Sequence, residues 1–276
     1  MPSAEYFRTP DGTRIAYARE GSGAPLVFLH GIGGNRRNWQ PQLPEFASAF
    51  SCVAWDARGY GDSDDDPPLA SFQDLADDLA ALIAHLDLGP AHIVGLSMGG
   101  MIALDLVDRQ PAMVASLVLA GSAAGFGPST PQERAAFLDS RLTPLLAGAR
   151  IADIAPGLMD VLVTANAGAE ARAMVLDSLL RLRPAPYMRA LQAFVTTDFT
   201  ASITRIDRPT LVLVGDDDRV LPPVRSEQLA AGIRGAQLTV IPGCGHLSNI
   251  ECAAAFNDHL GTFLRRLAQR SGMSSA

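Results

Sequence analysis

The chain contains no lysine; its 22 basic side chains are all arginine. That absence excludes Schiff-base catalysis on lysine, a pyridoxal-phosphate anchor and a Walker-type phosphate lysine. Cysteine is scarce. Cys52, Cys244 and Cys252 are odd in number and lack C-x-x-C spacing, a pattern that points to reduced thiols in a cytoplasmic setting rather than a disulfide framework. No His/Cys cluster has zinc spacing. No stretch approaches the roughly 18 uninterrupted apolar residues of a membrane span. The N-terminal MPSAEYFRTPDG has neither the basic nor the apolar region of a signal peptide. Positive charge is in deficit overall, and a net charge of −7 argues against nucleic acid or anionic membrane as the main partner. The acidic run Asp62-Ser63-Asp64-Asp65-Asp66 lacks the sixth-position glycine and twelfth-position glutamate of a calcium loop, and reads as a solvated acidic loop. The expectation is a cytoplasmic protein acting on a small molecule with no metal and no cofactor.

What is present is apolar and regularly spaced. At 276 residues with 48% hydrophobic content, the chain has ample material for a buried core. Two strands are expected near YFRT and TRIAYARE, joined by the turn signal Asp11-Gly12. Continuous apolar runs follow: PLVFLHG (25–31), FSCVAWD (50–56), AHIVGLS (91–97), SLVLAGS (116–122), TLVLVGD (210–216) and AQLTVIP (236–242). Each reads as a strand covered on both faces. Helical patterns lie between them. In the clearest, Ser71 and Asp74 resemble a capping box, Leu75, Leu79, Leu82, Ile83 and Leu86 form one apolar stripe, and Gly89-Pro90 ends the run. Strands alternating with helices predict an α/β fold, mainly parallel and flanked by helices on both faces. The alternation breaks between Ser122 and Thr210, where helix-like patches occur without a strong strand. A bare loop of that length is improbable, so the spacing predicts a core of 1–123 and 206–276 with a helical cap inserted at 124–205.

Gly95-Leu96-Ser97-Met98-Gly99 fits G-x-S-x-G at the junction of a strand pattern and a helix pattern. A serine on such a tight turn projects its hydroxyl from the sheet, and the glycines leave room where any Cβ would clash. A serine hydroxyl needs a general base, and the base an orienting acid. Both should lie at the carboxyl ends of later strands, which gather on one edge of a parallel sheet. Asp216, Asp217 and Asp218 follow one such strand and His246 follows another, giving the chain order Ser, Asp, His. The glycine-rich turn Gly31-Ile32-Gly33-Gly34 can aim backbone N–H groups at a developing oxyanion, with the amides of Ile32 and Met98 as the expected donors. His30, which ends an early strand, is expected to anchor that loop through hydrogen bonds.

Together these residues resemble the α/β-hydrolase superfamily: His30-Gly31, Asp56-Ala57-Arg58-Gly59-Tyr60-Gly61, GLSMGG, Gly215 followed by Asp218 and Pro222, and Gly245-His246. The resemblance spans almost the whole chain. It implies an eight-stranded sheet with a helical cap after the sixth strand, and Asp218 as the acid by G-x-x-D spacing. Within the superfamily, GLSMGGMIA and HLSNIE (246–251) are similar to the 3-oxoadipate enol-lactonase group, whereas HGIGG is the general hydrolase form. The implied function is a serine hydrolase cleaving a carboxylic ester or lactone through an acyl-enzyme. C–C hydrolysis of ring-cleavage products and cofactor-free perhydrolysis are the alternatives on the same triad. A non-catalytic ligand-binding protein is the rival from another class. Leu96 and Leu247 stand where the C–C hydrolases typically carry Asn and Trp. Trp39, Phe126, Met159, Tyr187 and Phe194 are expected to wall the pocket. If the substrate carries a carboxylate, one of the cap arginines Arg134, Arg141, Arg181, Arg183 and Arg189 is expected to pair with it.

Overall fold

Period-two alternation along the apolar runs builds two cores, one on each face of a single sheet. The structure, a computed structural model, describes residues 1–125 and 129–273. Its strands are β1 (Glu5–Arg8), β2 (Arg14–Glu20), β3 (Ala24–Leu29), β4 (Phe50–Trp55), β5 (Ala91–Leu96), β6 (Val114–Ala120), β7 (Thr210–Gly215) and β8 (Gln237–Ile241). Val27, Leu29, Val53, Trp55, Ile93 and Leu119 face one core, and Leu26, Phe28, Cys52, Ala54, Val94 and Ala120 face the other. Because successive Cβ atoms point to opposite faces, a strand buried on both sides must be apolar throughout.

The strands form one eight-stranded sheet in the order β1-β2-β4-β3-β5-β6-β7-β8. β1 and β2 form an antiparallel hairpin, β2 meets β4 antiparallel, and β4, β3, β5, β6, β7 and β8 run parallel. The hairpin turn holds Gly12 at φ +96, where a side chain would be strained. The helices are α1 (Leu43–Phe46), α2 (Gln73–His85), α3 (Met98–Arg109), α4 (Pro131–Leu146), α5 (Ile151–Leu162), α6 (Ala169–Leu180), α7 (Pro184–Thr196), α8 (Pro223–Gly232), α9 (Ser248–Glu251) and α10 (Ala253–Met273). Side chains of α2 and α3 join the first core, and those of α1 and α10 join the second. Among the described residues, four α-helices, α4 to α7, lie between β6 and β7 with no strand among them. No helix among the described residues is long and apolar enough to cross a membrane.

Two local expectations are refined. The acidic run 62–66 is exposed in part, with Asp62 and Asp66 on the surface, but it is also a junction: Asp62 pairs with Arg36 at 2.5 Å, Asp64 with Arg14 at 2.9 Å, and Asp65 with Arg189 of α7. The arginines come from three separate segments, so only the folded chain brings them together. The capping box before α2 is half formed. Asp74 accepts from the Ser71 amide at 3.1 Å, but the Ser71 hydroxyl donates back to Asp74 at 2.9 Å instead of capping a helix amide.

Candidate active site

Strand register gathers the site. Leu29 of β3 is paired with Gly95 of β5, so Ile32 and Met98, each three residues further on, emerge side by side. Leu96 is paired with Ala120 of β6, which sets Gly121 beside Ser97. Between β5 and α3 the chain turns on a single residue: Ser97 has φ 55 and ψ −118. A non-glycine residue in this region stores about 1–3 kcal/mol of strain, which the surroundings must hold. Here the Ser97 amide donates to Ala120 O at 2.8 Å, and Ser122 Oγ donates to Ser97 O at 2.9 Å. The neighbouring glycines have no room to be anything else. A Cβ on Gly95 would lie 2.4 Å from Gly99 O, one on Gly99 2.2 Å from Leu29 O, and one on Gly100 2.4 Å from Ser122 Oγ. Ser122 carries no sequence signal beyond its place at the end of a strand.

Past β7 the chain turns at Asp216-Asp217-Asp218, and the three carboxylates separate by partner. Asp216 Oδ1 accepts the Cys244 amide at 3.2 Å, tying this turn to the one after β8. Asp217 pairs with Arg219 at 2.7 Å on the surface. Asp218 is 3% exposed, and its Oδ2 lies 2.8 Å from His246 Nδ1. Its other oxygen accepts the amides of Val220 and Leu221, each at 2.9 Å. An ionised carboxylate only accepts, so Nδ1 carries the proton and Nε2 is left as the free acceptor of the imidazole. Gly121, at φ +48, backs the pair; a Cβ there would lie 3.2 Å from both Asp218 Oδ2 and His246 Nδ1.

Ser97 (7% exposed) and His246 (3% exposed) line one cavity of about 50 Å³, the scale of a few water molecules. The Ser97 hydroxyl and His246 Nε2 make no hydrogen bond to each other or to another described residue. Ile32 and Gly33 line the same cavity, and neither the Ile32 nor the Met98 amide donates to a described residue. His30 holds this loop. Its Nε2 accepts the Ala57 amide at 3.0 Å, so its Nδ1–H donates to Gly31 O at 2.8 Å. Complete burial holds its pKa below the ordinary histidine value, with the Gly31 bond and Asp56 opposing.

The rest of the wall comes mainly from the helices between β6 and β7. Tyr187 and Phe194 of α7 line the cavity as expected from the sequence. Burial raises the Tyr187 pKa. Trp39 does not line it. Fully buried, it packs against Phe28 and Phe256 at ring-centroid distances of 5.0 and 6.1 Å, in the core between the sheet and α10. Met159 does not line it either. Helix α5 carries two apolar stripes: Ile151, Ala155 and Met159 are buried in the packing of the helices, while Leu158, Val161 and Leu162 face the cavity. Phe126 lies outside the described residues.

The five arginines expected to offer a carboxylate partner separate as sharply. Arg181 pairs with Asp177 at 2.8 Å and Arg189 with Asp65. Arg183 donates to Ser63 O at 2.5 Å and Arg134 to Ser129 O at 2.7 Å. Arg141 of α4 lines the cavity and has no carboxylate partner among the described residues. Its guanidinium lies 3.7 Å from the Phe137 ring centroid and donates to Phe137 O and Ser140 Oγ, each at 3.0 Å. Burial lowers its pKa.

The DARGYG segment braces the site from behind. Asp56 is fully buried and accepts the Arg36 amide at 2.6 Å, the Arg36 guanidinium and the Asp62 amide at 2.9 Å. Gly61, at φ +48, leaves room for that carboxylate, which a Cβ would meet at 2.3 Å. Arg58 pairs with Asp78 at 2.7 Å and with Asp11 at 2.8 Å. These groups hold loops and do not reach the cavity.

The chain has known relatives. The chain is 32% identical over 270 residues to 2-hydroxymuconate semialdehyde hydrolase of Pseudomonas sp. (strain CF600), covering 92% of this chain and 91% of that one. It superimposes on a thermophilic esterase from Thermogutta terrifontis, solved with malate bound, with a TM-score of 0.87 and 27% identity over 96% of this chain and 99% of that one. The enol-lactonase from Burkholderia xenovorans LB400 gives a TM-score of 0.82 and 25% identity over 95% and 100%. Residues 26–259 match the profile of the Alpha/beta hydrolase family, and the chain belongs to that family.

Proposed function

We propose that this hydrolase cleaves a carboxylic ester or lactone of a small, carboxylate-bearing substrate through an acyl-enzyme. The observation that carries the proposal is the convergence on one cavity of Ser97, His246 with its partner Asp218, and the loop that carries the undonated Ile32 amide. Ser97 Oγ attacks the carbonyl carbon while His246 Nε2 takes the hydroxyl proton. Asp218 keeps the proton on Nδ1 and stabilises the imidazolium that forms. The amides of Ile32 and Met98 receive the negative oxygen of the tetrahedral intermediate, the second from the first turn of α3, where the helix dipole adds to the effect. Collapse expels the alkoxide or enolate, which takes the proton from His246. Water then gives a proton to the same nitrogen and attacks the acyl carbon, and collapse breaks the bond to Ser97 Oγ, which takes that proton back from His246 as the acid leaves. In free enzymes such serine–histidine bonds are often long and tighten with substrate, so the unbonded Ser97 hydroxyl fits this cycle.

Arg141 supports the anionic part of the reading, because it is the charged cavity residue left without an acid. Stacking on Phe137 preorganises the guanidinium for a carboxylate. The enol-lactonase and the malate-bound esterase are consistent with such a substrate. The relation to a semialdehyde hydrolase favours C–C hydrolysis as the second reading, and turnover of a dienoate faster than of any ester would establish it. The test of the main reading is direct. Ser97→Ala should abolish turnover of a p-nitrophenyl ester with the fold intact by circular dichroism, and a fluorophosphonate should label Ser97 in the parent protein. Retained turnover in the variant would sink the assignment.

A further inference from the structure

Glu251, the last residue of α9, touches neither Ser97 nor the cavity, yet it joins the two sides of the site. Its Oε2 accepts the amide of Gly245, the residue before His246, at 2.9 Å. Its Oε1 accepts the Thr164 amide at 3.0 Å and the Thr164 hydroxyl in a shorter bond. Thr164 follows α5, whose Leu162 lines the cavity. Two independent contacts bind the same segments. The Leu247 amide donates to Leu162 O at 3.2 Å. A Cβ on Gly245 would lie 2.8 Å from Glu251 Oε2, 3.1 Å from Val163 Cα and 3.2 Å from Leu162 O, so the two backbones rest directly on each other. No arginine forms an ion pair with Glu251 among the described residues; three donors from the two segments hold its charge.

We infer that Glu251 is a positioning residue, clamping the loop that carries His246 to the cavity turn at 162–164 so that the imidazole and that wall move as one unit. The inference rests on the reading of Ser97 and His246 as nucleophile and base. Its consequence is specific. A substrate too large for the cavity pushes on Leu162 and, through Glu251, draws the base away from Ser97. Poor fit is therefore expressed in kcat and not only in KM.

Kinetics of Glu251→Ala, Thr164→Val and Thr164→Ser on p-nitrophenyl esters of increasing acyl length test this. Glu251→Ala should lower kcat on the acetate by about ten- to a hundredfold, the scale of a small misplacement of a catalytic group, with KM within about twofold. Its kcat should also fall less steeply with acyl length than that of the parent, because the wall no longer drags the base. Thr164→Val should lose less and Thr164→Ser should restore the parent rate. The double variant Glu251→Ala/Thr164→Val should be no slower than Glu251→Ala alone, since both act through one set of bonds. Parent kcat in Glu251→Ala, an unchanged length dependence, or losses that multiply in the double variant would each overturn the clamp. If Glu251→Ala does not fold, the Thr164→Val and Thr164→Ser pair decides the question, read beside their melting temperatures. Fluorophosphonate labelling of the parent separates the two levels. A parent that is not labelled removes the nucleophile assignment and the clamp with it; a labelled parent with unaffected variants removes the clamp alone.

Discussion

The strand ends and the helices α4 to α7 enclose the same cavity with opposite kinds of chemistry. On the strand side, polar groups are held by second polar groups: Ser97 O by Ser122, Asp218 by two amides, and the glycine loop 31–34 by His30. On the helical side the wall is aliphatic and aromatic, with Arg141 as its one charge among the described residues. Outside the turn at 162–164, which rests on the His246 loop, it is tied to the rest of the chain by individual side-chain bonds such as Arg189 to Asp65, and Ser178 accepting from Asn35 and Asn38 at 3.3 and 2.9 Å. A rigid frame suits reacting atoms, whose placement must be accurate to fractions of an ångström. A surface attached at a few points suits selection among substrates. Changes on the strand side, and in the turn at 162–164 that is clamped to it, should therefore move kcat, and changes elsewhere on the helical wall should move KM.

The largest effect expected within this division comes from Asp218→Asn. The amide presents a donor where the imidazole needs an acceptor, so His246 adopts the wrong tautomer while packing is kept. Loss of the tautomer-setting acid lowers kcat by about 10⁴ in serine hydrolysis of this type. We expect a fall of about 10³–10⁴ in kcat with KM little changed, measured by steady-state kinetics. A loss confined to KM would break the division at its strongest point.

Arg141→Gln tests the other side and should act more weakly. A hydrogen-bonded ion pair to a ligand carboxylate is worth about 1.5–3 kcal/mol, or about ten- to a hundredfold in KM. Comparing p-nitrophenyl acetate with p-nitrophenyl hemisuccinate isolates that term. KM should rise only for the anionic ester, with kcat unchanged for both. An equal rise for the two esters would mean that Arg141 shapes the wall and reads no charge.

The same division explains what could be read from the chain in advance. The turn at Ser97 was legible because its constraint is local: Gly95 and Gly99 abut each other across a turn of a few residues. The fold, the carboxylate turn at 216–218 and the position of His246 followed from strand-end placement, which apolar runs reveal directly, while Asp218 was singled out among the three by the G-x-x-D spacing of the resemblance. The helical wall was not legible in this way. Helix α5 is apolar on two stripes, so periodicity alone cannot say whether Met159 or Leu158 faces the cavity. Trp39 sits in a loop segment near the site in sequence, yet its indole turns under the sheet onto Phe28 and Phe256. Arg141 became distinguishable from the other four candidate arginines only once their partners, up to 124 residues away, were in place. Glu251 was visible within HLSNIE, but its role depends on Thr164, 87 residues distant.

The smallest effect expected is on stability, and it tests whether His30 belongs to the frame or to the chemistry. Complete burial lowers its pKa in the fold, whereas the unfolded chain exposes it near the ordinary value of about 6.5. Below that value the unfolded state binds a proton that the folded state resists, so stability rises with pH across this range. His30 thus contributes its full stability above about pH 6.5, and the contribution is lost as pH falls toward the lower folded pKa. His30→Gln keeps one donor and one acceptor for Gly31 O and the Ala57 amide but cannot titrate. The variant should melt lower at pH 7, because the amide fits the site less well, yet lose less melting temperature between pH 7 and pH 5 than the parent. The difference between the two slopes should be on the order of 2 °C. Calorimetric scans at the two pH values suffice, with kcat on a neutral ester followed in parallel. If His30 only holds the oxyanion loop, kcat at pH 7 falls modestly and its pH dependence stays that of the parent. A change in the pH profile of kcat would instead assign His30 a share in proton transfer and redraw the line between frame and reacting groups.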